Sequence, residues 1–225
     1  MIILNKKTVL FLLLILTSFP IFGQSGQINI RFIGNCGLHL SDGKADLYID
    51  FPYKSGAFRY MKYESSEIDS IRNNAFFLFT HRHPDHYSKK IVRRLKHRRH
   101  AKVFGCWNTG SFEKLNSAIP DFKIEFFRTK HRFSTKHYSY LITWHDKRIF
   151  LSGDTETADT IATVKNIQWA FVPYWIMLDA REKNLSLDAE KIGIYHLYPN
   201  QTGKISNPDK IKLINKQGEI IQIPY

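Results

Sequence analysis

The chain reads as an α/β sandwich, two packed β-sheets with helices on their outer faces. Three observations lead there. Strand-like segments come in two batches, one early and one after residue 122, and helical patterns interrupt both. No internal repeat or low-complexity linker divides the chain. Of its 225 residues, roughly 200 remain after an apolar leader, a length that one hydrophobic core can serve.

The leader comes first. Lys6 and Lys7 precede the apolar run from Thr8 to Phe22, and small Gly23 then gives way to Gln24 and Ser25. That order predicts a signal peptide over residues 1–23, a folded domain over residues 24–225, and export to the periplasm or beyond the cell. An uncleaved N-terminal anchor is the alternative reading.

Ile28 to Gly34 alternates apolar and polar residues as a half-buried strand does, and Leu47 to Phe51 follows a turn at Asp42 and Gly43. Glu64 to Asn74 reads as a helix, and the aromatic run Ala75 to His81 as a buried strand. Lys89 to Lys102 carries Ile91, Val92 and Leu95 on one side and charge elsewhere, an amphipathic helix. A short strand at Lys102–Cys106 leads to a helix that stops before Pro120. Strands follow at residues 123–130, 138–144 and 148–153, a short helix around Ile161, then strands at Trp169–Trp175 and Ile192–Tyr198. The tail from Lys210 to Tyr225 reads as a hairpin turning at Gln217 and Gly218.

The formal charge is +13 and the pI about 9.7. The densest basic run is the helix from Lys89 to Lys102. Such a balance favours anionic partners: an anionic small-molecule substrate, nucleic acid or a membrane surface. Cys36 and Cys106 are the only cysteines. They permit one disulfide or two buried thiols, and neither stands at a position where this pattern predicts a metal ligand.

The chemistry concentrates in Thr80–Ser88, THRHPDHYS, where His81, His83, Asp85 and His86 form H-x-H-x-D-H after the buried strand. Residues two apart at a strand end point the same way, so His81 and His83 can grip one ion. As the chain turns, Asp85 and His86 face a second. Imidazole nitrogen and carboxylate oxygen suit zinc, with manganese(II) or iron(II) as alternatives.

This motif resembles the metal loop of the metallo-β-lactamase superfamily, and further landmarks follow in that family's order. They are Asp50 in LYIDFPY, His131 in FRTKH, Asp154 in RIFLSGDT and His196 in IGIYHLYPN. The resemblance implies a four-layer αββα sandwich. It implies two zinc ions, one held by His81, His83 and His131, the other by Asp85, His86 and His196, with Asp154 bridging them. Asp50 becomes the buried acid behind the ligands. Asp85 carries a catalytic role as well, orienting the hydroxide that attacks the substrate. His137 is the alternative to His131, which is preferred because it ends the longer strand and precedes a loop.

The family's best-known β-lactamases carry Cys where this chain has Asp154. The opening IGNCGLHLSDGKADLYIDFPY and the late His196–Pro199 look nearest to the branch of the ascorbate-phosphate lactonase and the N-acyl-phosphatidylethanolamine phospholipase D. Tyr174 and Trp175 replace the glycine usual after the late proline there, so no substrate residue is carried over. The expected function is hydrolysis of an ester-type bond, a phosphodiester or a lactone. The alternatives are a β-lactam or amide hydrolase, and a non-catalytic metal-bearing protein that binds anionic polymers or membranes.

Overall fold

A computed structural model describes residues 26–54, 56, 60–199, 201 and 207–225. The leader over residues 1–23 lies outside the described residues. No described helix is long and apolar enough to cross a membrane.

The elements run in the order β1 (Gln27–Gly34), β2 (Gly37–Ser41), β3 (Asp46–Ile49), α1 (Ser65–Asp69), β4 (Phe76–Phe79), α2 (Lys89–Arg99), β5 (Lys102–Gly105) and α3 (Phe112–Ala118). They continue with β6 (Phe122–His131), β7 (Ser134–Trp144), β8 (Lys147–Leu151), α4 (Asp159–Thr163), β9 (Ile167–Pro173), α5 (Tyr174–Glu182), β10 (Ala189–Tyr195), β11 (Ile211–Leu213) and β12 (Ile220–Pro224). One six-stranded sheet has the order β12-β1-β2-β3-β4-β5, the other β11-β10-β9-β8-β7-β6. Each sheet is mixed: β3, β4 and β5 run parallel, as do β8, β9, β10 and β11, and the remaining neighbours are antiparallel.

The period of two along the strands builds the layers. On β4, Phe76 and Leu78 face the space between the sheets, while Phe77 and Phe79 face outward onto Val92 and Leu95 of α2. On β7, Tyr140, Ile142 and Trp144 join the inter-sheet core, while Leu141 joins Ile161 of α4 and Ile176 and Ala180 of α5. Both faces of each sheet are thus covered, and the four-layer αββα sandwich expected from the sequence is present.

Three elements differ from the expectation. The helix read over Glu64–Asn74 is only the five residues of α1; its C-cap Ser70 turns back to bond Ser66, and Asn74 takes φ +61°. The strand read through Trp175 stops at Pro173, and Tyr174 and Trp175 open α5. Pro173 leaves its strand in an extended conformation and serves as the N-cap of that helix. The tail is not a hairpin. Gly218 makes the turn, at φ +83°, but β11 pairs with β10 in one sheet and β12 with β1 in the other.

An ion-pair cluster braces β3. Asp46 is buried and accepts from His39 Nε2 at 2.8 Å and from Arg72. Burial works against ionisation, but those hydrogen bonds hold its carboxyl well below the usual carboxylate range. A depressed carboxyl pKa adds stability that is full above about pH 4, where the unfolded chain is already ionised, and fades as pH falls. Asp46→Ala is therefore expected to cost about 2 kcal/mol at pH 7. The gap between wild type and variant, read from urea midpoints, should narrow markedly at pH 3.

Candidate metal centre

The site lies at the C-terminal ends of the parallel strands, where loops from both sheets meet. Asp50 follows β3, the Thr80–Ser88 loop follows β4, Asp154 follows β8 and His196 follows β10. His131 closes β6, and the β1–β2 turn brings Asn35 and Cys36 from the opposite side. Asn35, Asp50 and His196 all have left-handed φ values between 45° and 54°, sharp corners at the three places where the chain leaves a strand to build the site. Gly153, at φ +58°, is required before Asp154: a Cβ there would lie 2.7 Å from His137 Nε2 and 2.8 Å from Thr80 Cβ.

All seven predicted ligand positions converge. Donor atoms of His81, His83 and His131 lie within 4.8 Å of one another, and so do those of Cys36, His86, Asp154 and His196. His83 Nδ1 and His131 Nε2 face each other at 3.0 Å. Asp154 Oδ2 lies 3.1 Å from His86 Nε2, 3.3 Å from His196 Nε2 and 3.9 Å from His131 Nε2, so one oxygen faces both groups. Asp85 stands at the mouth, its Oδ2 3.4 Å from His196 Nε2 and 3.7 Å from His86 Nε2.

Behind these atoms, Asp50 sets the orientations. Fully buried, it accepts from Thr80 N at 2.8 Å, Thr80 Oγ1 at 2.7 Å and His86 Nδ1 at 2.9 Å. Thr80 Oγ1 in turn lies 3.0 Å from His81 Nδ1. Both imidazoles thus use Nδ1 rearward and aim Nε2 into the cleft; both Nε2 atoms are buried without a well-formed hydrogen bond, His86 Nε2 having only the Asp154 carboxylate beside it. Both ring nitrogens of His196 are likewise buried without one. Buried nitrogens orphaned in this way are what a cation would satisfy.

The electrostatics point the same way. Burial opposes charge on His86 and His196, but Asp154 overrides it, raising His86 well above the usual histidine range and His196 to about 9. Burial opposes charge on Asp154 too, yet His196 and His86 hold its carboxyl well below the usual range. His81 goes the other way, pushed well down by burial and by His86. Positive charge is thus favoured where the Asp154 carboxylate meets two imidazoles. Imidazoles and carboxylates converging on a cleft form a donor set that fits divalent transition ions.

The structure separates the two competing histidines. His131 joins the His81–His83 group, while His137 lies behind Asp154, accepting from its backbone N–H at 2.9 Å and bonding Thr129 Oγ1 at 2.7 Å. Burial lowers its pKa to about 3, which keeps that accepting nitrogen unprotonated. Both cysteines are free and buried, and Cys36, read from the sequence as outside the metal positions, has its Sγ 3.6 Å from Asp154 Oδ1. Asn35 and Tyr195 were also missed. Asn35 Nδ2 donates to Asp85 O at 2.9 Å, and Tyr195 Oη accepts from Gly153 N at 3.0 Å. The NCG turn after β1 was the available signal for Asn35 and Cys36; nothing local marks Tyr195.

Comparison with known proteins agrees with this architecture. No family model and no curated protein matches the chain. Among solved structures, it is similar to Igni18, a metallo hydrolase from the archaeon Ignicoccus hospitalis. The identity is 15%, 88% of this chain and 99% of that one are covered, and the TM-score is 0.63. YhfI from Bacillus subtilis, a metallo-β-lactamase fold protein, matches at 13% identity over 88% and 99% of the two chains, with a TM-score of 0.62. An isothiocyanate hydrolase from Delia radicum gut bacteria matches at 12% identity over 88% and 100%, with a TM-score of 0.54. The fold is the metallo-β-lactamase fold; identities this low carry nothing about substrate.

Asp50→Ala would strip three donors of their acceptor, and it is expected to cost about 3 kcal/mol in chelator-treated protein. Thr80→Val removes one hydroxyl from the same network and should cost about 1 kcal/mol. Urea denaturation of the two variants beside wild type checks both the order and the sizes.

Proposed function

We propose that this protein is an exported hydrolase that uses two divalent metal ions, zinc foremost, to cleave an ester-type bond in an anionic substrate. The observation that carries the reading is Asp154 Oδ2, placed between two groups of buried or half-buried histidine donors that converge on one cleft. Bound there, the ions would supply a strong nucleophile from water at neutral pH and bear developing negative charge. The chain's residues do the rest. Asp154 is fixed from behind by His137 and faces both groups. Asp85 is held at the mouth through its backbone by Asn35, partly exposed and therefore placed to orient water and accept a proton. Burial opposes ionisation of Asp85, but His196 and His86 keep its carboxyl below the usual range, ready as an acceptor.

An anionic substrate is supported by the cleft's surroundings. A groove of about 660 Å³ opens beside His131 and is flanked by Arg128, Lys130 and Arg132 against a single acid, Glu156. A phosphodiester or a lactone bearing an anionic group fits such a wall. The likeness of the IGNC and HLYP segments to the lactonase and phospholipase branch favours the same substrates.

Elemental analysis of the purified chain is expected to find about two zinc or similar ions per chain. Asp154→Ala and His83→Ala should both lower that number. A folded chain that takes up no added zinc would end the hydrolase reading. With metal bound, a screen of phosphodiesters, lactones and β-lactams identifies the bond cleaved. Reversing charge at Arg128 and Arg132 should raise KM for an anionic ester about tenfold and leave a neutral one unchanged; equal effects on both would remove the groove's electrostatic role.

A further inference from the structure

The β1–β2 turn brings to the cleft a donor that the histidine and aspartate pattern does not announce. Cys36 is fully buried at the floor of the site, where the inter-sheet core meets the metal groups. Its Sγ lies 3.6 Å from Asp154 Oδ1, the oxygen that Asp154 turns away from the histidines. That sulfur, one nitrogen each of His86 and His196, and a carboxylate oxygen of Asp154 all lie within 4.8 Å of one another.

The turn that offers the sulfur is tied to the site on both sides. Asn35, at φ +53°, accepts from His196 N through its carbonyl at 3.1 Å and donates from Nδ2 to Asp85 O at 2.9 Å. Gly37 follows so closely on the turn that a Cβ there would sit 2.9 Å from Gly34 O. Cys36 is thus anchored by the same residues that place two of the predicted ligands. An independent sign that this set takes a cation lies on its other members. Nε2 of His86 and both ring nitrogens of His196 are buried without a well-formed hydrogen bond, although Asp154 Oδ2 lies 3.1 Å and 3.3 Å from the two Nε2 atoms.

We infer that Cys36 is a metal donor, completing with His86, His196 and Asp154 a four-donor set of one sulfur, two nitrogens and one oxygen. The inference rests on the metal-centre reading above and adds a ligand to it. Such a set suits a borderline-soft ion such as zinc or cobalt. Ligation exchanges the S–H bond for a sulfur–metal bond and releases the thiol proton to solvent. Asp85, with a fifth of its side chain exposed at the mouth, is then not needed as the fourth ligand and serves to orient water or substrate.

Cobalt(II) reports sulfur ligation directly, through a thiolate-to-metal charge-transfer band in the near ultraviolet that nitrogen and oxygen donors do not give. The purified chain is loaded with cobalt, and metal per chain is counted in the same samples. The band is expected in wild type and in Cys106→Ser, whose only remaining cysteine is Cys36. It is expected to vanish in Cys36→Ser while cobalt persists at the His81, His83 and His131 group. If Cys36→Ser does not fold, the spectra of wild type and Cys106→Ser still decide. Cobalt bound to wild type without the band overturns the role of Cys36 and leaves the metal centre standing. No cobalt bound at all overturns both.

Discussion

Asp50 holds the structure's most consequential hydrogen bonds. A carboxylate buried this deeply is tolerable only with its lone pairs filled, and Thr80 and His86 fill them. Those bonds fasten the end of β3 to the loop after β4, and they decide which way two imidazoles face. The ladder pairing β3 with β4 ends one residue before Asp50, whose backbone N–H still bonds Leu78 O. Sheet geometry and donor orientation are therefore one constraint. Moving Asp50 would misdirect both rings even if every predicted ligand remained in place.

The two sheets contribute differently to the cleft. The first provides the rear support and the H-x-H-x-D-H loop; the second provides His131, Asp154 and His196 at the ends of β6, β8 and β10. Tyr140, from the second sheet, donates its hydroxyl to Phe79 O of the first at 2.8 Å, and Tyr138 N donates to Thr80 O. These links cross the inter-sheet space just beneath the metal loop. The rigidity of the donor array thus comes from sheet packing, although most of the donors sit on loops.

What could be read from the sequence follows the range of the interactions involved. The run Ala75–His81 declared a buried strand because both of its faces are apolar, and the motif after it declared paired donors because their spacing is local. Asp50, His131, Asp154 and His196 needed the order of a family's landmarks, since nothing near each of them specifies a partner far along the chain. Cys36 escaped for that reason: its relation to Asp154 spans 118 positions and exists only in three dimensions. The tail was misread because two apolar segments flanking a Gln-Gly turn look alike whether they pair with each other or with strands already present. Tyr174 and Trp175 extended an aromatic run past the point where Pro173 changes the backbone's course.

The placement of β12 beside β1 also sets an order of assembly. Gln27–Arg31 pairs with Ile220–Pro224, so β1 completes its ladder only with a strand about 190 positions further along the chain. Until then one edge of the first sheet offers unpaired amides and carbonyls, and Ile28 and Ile30 lack the cover of Ile221 and Ile223. The second sheet, built mostly from β6 to β10, is spared that delay because its strands follow one another closely. Folding is therefore expected to begin in the C-terminal half and to close last at the seam between the first and final strands. A partly folded chain would be vulnerable to self-association through that open edge.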